Sequence, residues 1–155
     1  MDKKQLLKDV DAALLQHIEG LRQCVRSTQE MAREAPGRIQ SRYDTIRVET
    51  SWLADGQAAL LGEWERNYAG FRAIGSDRKD RIQVGAFFVA ESLTGSFSIR
   101  CLVCQGGSGF ECETAEGPVT LVSPSSPLAT AAIGHGVNDI FNVNGRVDYI
   151  IREVA

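Results

Sequence analysis

An unbroken heptad runs through residues 4 to 35. Leu7, Val10, Leu14, His17, Leu21, Cys24, Thr28, Met31 and Ala35 follow one another in alternating steps of three and four. Leu6, Ile18 and Val25 widen the stripe, and Lys, Asp, Gln, Glu and Arg fill the other faces. That spacing gathers apolar side chains on one side of an α-helix and predicts an amphipathic helix with a coiled-coil-like seam. The run Ala35-Pro36-Gly37 ends it, because Pro36 disfavours helix at Ala35 and Gly37 accepts a left-handed cap.

The period returns with Leu53, Leu60, Trp64, Asn67, Phe71 and Ile74, weakened by Gly56 and Glu63 on or near the same stripe. It predicts a second helix from about Ile46 to Ala73. Two such helices joined by a short turn make an antiparallel hairpin. At roughly 1.5 Å per residue each arm is about 45 Å long, with little core behind it. The predicted tip is GRIQSRYDTI, residues 37 to 46. The polar run GSDRKD, 75 to 80, reads as a connection. These features predict a helical hairpin over 1–75, a linker over 76–80 and a second domain over 81–155.

From Arg81 the period changes to two. RIQVGAFFVAES, GSFSIRCLVC, GPVTLVS and RVDYIIREV are rich in Val, Ile and Phe, with Gly and Pro between them. SPLATAAIG, 126 to 134, differs: Ser126 can cap, Pro127 suits the first helical position, and Gly134 ends the turn. The chain is therefore expected to be α+β, with a helical hairpin followed by a small antiparallel sheet domain carrying one short helix.

Composition narrows the function. The 155 residues are 43% hydrophobic and 24% charged, as in folded soluble proteins, with a net charge of −3. That balance argues against broad affinity for a nucleic-acid backbone, which requires a cationic surface. No apolar run reaches the length of a membrane span. In MDKKQLLKDVDAALL acids interrupt the apolar residues, so it does not read as a signal peptide. We expect a cytoplasmic protein whose cysteines, at 24, 101, 104 and 112, are reduced.

The stretch SPLATAAIGHGVNDIFNVNGRVDYIIREV, residues 126 to 154, resembles the C-terminal domain of bacterial Gre transcript-cleavage factors. The shared pattern falls on Ser126, Pro127, Ala132, Ile133, Gly134, Asp139, Gly145, Tyr149 and Ile150. The order of hairpin, linker and sheet domain extends the resemblance along the chain. The Tyr43-Asp44-Thr45 element is similar to the hairpin tip of a Gre-like subgroup. The resemblance implies an FKBP-like second domain that docks at the rim of the RNA polymerase secondary channel, with the hairpin inside the channel. It implies no cofactor of the chain's own. Instead, tip carboxylates would act on Mg²⁺ shared with the polymerase active site, and the polymerase would cut the 3′ end of backtracked RNA. In a two-metal phosphoryl transfer one extra ligand can position the second ion, and Mg²⁺ takes few protein carboxylates. The nascent RNA would be an indirect partner, and a monomer is the implied state.

On this reading Asp44 and Glu49 carry the chemistry, with Asp44 the metal ligand. The local alternative is that Asp44 caps the second helix and Glu49 is a solvated first-turn acid. Cleaving members of the family separate their tip acids by two residues, whereas here four intervene. The surroundings are also cationic: Arg33, Arg38, Arg42 and Arg47 stand against Glu34, Asp44 and Glu49. Arg42 or Arg47 could pair with Asp44 or contact phosphate oxygens. Tyr43 could stack on a base or pack at the tip. Ser126 and Pro127 match the family's docking loop in addition to starting a helix.

Cys101, Cys104 and Cys112 with His135 have the number of ligands a zinc site needs, but buried thiols on a strand explain them more simply. Cys24 and His17 read as seam residues. GGSG, 106 to 109, lacks the lysine of a phosphate loop and reads as a flexible turn. Three functions follow: a Gre-like regulator that binds the channel and stimulates cleavage or competes without cleaving; an adaptor with a dimerising hairpin and no polymerase role; and, least supported, an independent metal-dependent hydrolase.

Overall fold

A computed structural model of the chain describes residues 2–34, 42–107 and 109–155, with only the backbone described for 42–47. The Ala35–Gly37 stop and tip residues 37–41 lie outside the described residues. The elements run α1 (Lys3–Glu34), α2 (Arg42–Arg72), β1 (Phe87–Ser92), β2 (Ser98–Val103), β3 (Glu111–Thr114), β4 (Gly117–Val122), α3 (Pro127–Ala132), β5 (Ile140–Val143) and β6 (Val147–Val154).

The buried face of α1 is Lys3, Leu6, Val10, Leu14, Ile18, Val25 and Thr28. These positions keep the 3.6-residue period of a straight helix, against which a strict heptad drifts by about 20° per repeat. The predicted seam therefore rotates off the buried face. Leu6, Ile18 and Val25, expected only to widen the stripe, are its centre, while Cys24 is exposed and Met31 is 62% exposed. Helix α2 begins at Arg42, earlier than expected. Its inward face is Thr50, Ala54, Gln57, Leu61, Trp64, Tyr68 and Phe71, and the expected seam residues Leu53 and Leu60 are exposed.

The chain divides into two compact units, Leu14–Arg66 and the remainder, Met1–Ala13 with Asn67–Ala155. In the first, Leu14, Ile18, Val25 and Ala54 are buried. His17 meets the Trp64 ring edge-on with centroids 4.4 Å apart, and the Arg22 guanidinium reaches Glu65 at 2.9 Å.

The second unit is built on one six-stranded sheet in the order β3-β4-β2-β1-β6-β5. It is mixed, correcting the antiparallel expectation: β2 and β4 are parallel, with Cys101 opposite Thr120. The reason is β3, which turns back on β4 before the chain reaches β2's edge, so that β4 runs the same way as β2. The sequence pattern missed β3 and β5, both four-residue edge strands too short to show alternation. The turn into β6 did carry a signal, Asn144-Gly145, where both residues have positive φ (54° and 67°).

On one side the sheet holds a core of Ile82, Phe88, Ala90, Cys101, Val103, Phe141, Tyr149 and Ile151, against which Ala129 and Ala132 of α3 pack. In the same unit the Lys3 ammonium, almost fully buried, donates to the Asp77 carbonyl at 2.6 Å. Burial, then the neighbouring Lys79 charge, hold its pKa below the ordinary lysine value.

Candidate functional site

Arg42, Tyr43, Asp44 and Arg47 all lie in the first two turns of α2, a placement that concerns the backbone alone. Glu49, on the same helix, is exposed. Five residues of α-helix turn through about 140° and rise about 7.5 Å, so the Asp44 and Glu49 positions diverge around the axis. The two positions therefore do not share one face of the helix. Among the described residues no group of three or more His, Cys, Asp and Glu is placed to hold a metal. One carboxylate from this chain fits Mg²⁺ only where a partner supplies the remaining ligands, since that ion takes one or two carboxylates and keeps its waters.

Ser126 and Pro127 occupy the start of α3. Ser126 is the N-cap: its backbone is extended (φ −66°, ψ 148°) and its hydroxyl accepts from the Ala129 N–H at 3.2 Å. Pro127 fills the first turn, where its missing N–H costs nothing. The preceding loop is tied down by the Ser126 N–H donating to the Ser123 carbonyl at 2.9 Å and by Thr130 Oγ1 donating to the Pro124 carbonyl at 3.3 Å. At the far end Gly134 has φ 91°, its N–H donates to the Ile82 carbonyl, and its carbonyl accepts from Arg81 Nη1 at 2.7 Å. The α3 segment is thus fixed at both ends. Beyond it Ile133, Val137 and Ile140 are exposed apolar residues. Sequence reasoning did not single them out as a group, because solvent exposure of an Ile in an alternating segment has no sequence signature.

The cysteines behave as packing residues. Cys101, Cys104 and Cys112 are buried and free. Burial pushes the Cys101 thiol up to about 12 and raises those of Cys104 and Cys112 as well. Cys104 Sγ donates to the Gly106 carbonyl and Cys112 Sγ to the Val119 carbonyl. Desolvation of this kind disfavours the thiolate that a metal would need. Cys24, expected on the seam, is exposed.

No described helix is long and apolar enough to cross a membrane. No family model and no curated protein matches the chain. Among solved structures, the transcription factor Gfh1 is similar at 17% identity with a TM-score of 0.41, over 95% of this chain and 94% of that one. GreA factor homolog 1 (Gfh1) of Thermus thermophilus is similar at 12% identity and a TM-score of 0.35, over 94% of each chain. Gfh1 of Thermus aquaticus is similar at 12% and 0.36, over 92% of each.

Proposed function

We propose that this chain is a Gre-like regulator of transcription elongation that binds RNA polymerase through its secondary channel. In this reading the α1–α2 tip enters the channel and the segment starting at Ser126 and Pro127 docks at the rim. The family resemblance of residues 126 to 154 motivates it. The observation that carries the mechanism is the start of α2 at Arg42, which sets Asp44 in the first turn and Glu49 five positions further on. The two acids then stand on different faces of one helix, at a tip that also bears Arg42 and Arg47. The stronger outcome is occupancy of the channel without stimulation of cleavage, in competition with factors that do stimulate it. Bound Mg²⁺ supplies charge stabilisation and an activated water in such transfers. In this reading Asp44 would be the ligand offered to that ion, and Arg42, Arg47 and Tyr43 would serve phosphate oxygens or a base.

The test is RNA 3′-end cleavage in a backtracked complex of the cognate polymerase, with a limiting amount of an authentic cleaving factor present. Titrating in this chain is expected to lower the rate, and Asp44→Ala to lower it as effectively as the unmodified chain. A rise in rate that Asp44→Ala abolishes would establish the cleavage-stimulating form. No change at high concentration would remove polymerase from the account.

One observation favours a second reading. Val48, Trp52, Leu53 and Leu60 leave apolar surface open on α2, with Trp52 70% exposed. An adaptor whose hairpin pairs two copies would use such a face. Sedimentation would then show a mass that rises with concentration and returns to the monomer in Trp52→Ala.

A further inference from the structure

A cleft of about 240 Å³ opens between the first turns of α1 and the end of α2, within the unit that holds the sheet. Lys4, Leu7, Lys8 and Asp11 line it from α1, at the i, i+3, i+4, i+7 positions that share one helix face. Arg72 and Ile74 line it from the other side, over the buried Phe71 ring. The floor is therefore apolar and the rim cationic. Among the described lining residues Asp11 is the one acid, and it is already engaged: the Tyr68 hydroxyl donates to it at 2.9 Å and Arg72 Nη1 stands 3.4 Å away. Lys4 and Lys8 are exposed and make no ion pair with any described residue. Two uncompensated ammonium groups thus flank an apolar floor in a chain whose net charge is −3.

We propose that this cleft docks a short acidic peptide segment of a protein partner, with one aliphatic side chain seated on Leu7, Phe71 and Ile74. Size decides against a nucleotide or other drug-sized ligand, whose pockets run from about 300 to 1,000 Å³. A single aliphatic side chain fits, and the carboxylates on either side of it meet Lys4 and Lys8. Lysine ammoniums act as mobile point charges and impose no planar geometry, which suits a peptide carboxylate more than a fixed bidentate site. Exposed pairs of this kind contribute little each and are screened by salt, so the apolar anchor supplies register and part of the affinity. The proposal uses no residue of the helix-pair tip and does not rest on polymerase binding.

The test uses the full chain and a fluorescein-labelled Asp-Glu-Leu-Asp-Glu peptide, followed by anisotropy. Saturable binding is expected, weakened about tenfold by Lys4→Glu with Lys8→Glu, and by about as much when glycine replaces the peptide's leucine. Both lysines are exposed, and Lys4→Gln with Lys8→Gln, which should give a smaller loss, checks that charge and not folding is read. The absence of saturable binding overturns the proposal. So does equal binding by the Glu variant, or by the glycine peptide. Displacement of the peptide by ATP or by an RNA oligonucleotide at equal charge concentration overturns it too, since the cleft would then be a general anion surface.

Discussion

Gly106 illustrates what a single residue position decides here. A Cβ added to it would stand 2.7 Å from Asn67 Cα and 2.8 Å from that residue's Cβ and Oδ1. Backbone cannot move aside as the end of a side chain can, so Gly106→Ala is expected to cost about 1–3 kcal/mol in urea unfolding. Asn67→Ala should restore little of it, because the closest atom remains. GGSG read as a flexible turn in the sequence, and Gly106 within it is instead a point of close approach. Cys101 makes a second residue-scale prediction. Its thiol lies near 12 against an ordinary 9.0, through burial. The folded chain keeps a proton that the unfolded chain releases. The stabilisation is therefore complete below pH 9 and is lost as pH rises from there toward 12. Unfolding free energy measured at pH 7, 9 and 10.5 should fall over the last interval, and less steeply in Cys101→Ala.

At the scale of elements, both long helices, four of the six strands and the capped α3 were legible, because each carries more than one turn or pleat of its period. What periodicity alone could not fix was phase. A heptad drawn through Leu7, Cys24 and Met31 and a straight-helix stripe through Leu6, Ile18 and Val25 share Val10, Leu14 and Thr28. Only the partner surface chooses between them. The choice is measurable: Leu14→Ala, at a site 1% exposed, should cost about 2–5 kcal/mol, whereas Met31→Ala should stay within about 0.5 kcal/mol. Equal costs would return the seam to the strict heptad. The candidate site was legible unevenly for the same reason. Ser126 and Pro127 announce a helix start by residue type, and the structure places them there. The separation of Asp44 and Glu49 acquires its meaning only once both are known to sit on one helix. The cleft beside Lys4 and Lys8 has no local signature, since its walls lie at opposite ends of the helix pair, Lys4–Asp11 and Phe71–Ile74.

For the molecule as a whole, the order of strands has a kinetic consequence. The central strand β1 lies between β2, its neighbour in the chain, and β6, the last strand to be reached. The β1–β2 hairpin can close early, at small entropic cost. The β1–β6 ladder must wait until the four strands and the helix between them in the chain have been gathered. Such non-local pairing places a domain toward the slow end of folding, on the scale of milliseconds to seconds. During that wait β1 presents one unpaired edge lined by Phe88 and Ala90, and any β6 will satisfy it, including one from a neighbouring chain. Exchange of β6 between two copies during crowded synthesis is therefore the misassembly to which this topology is most open.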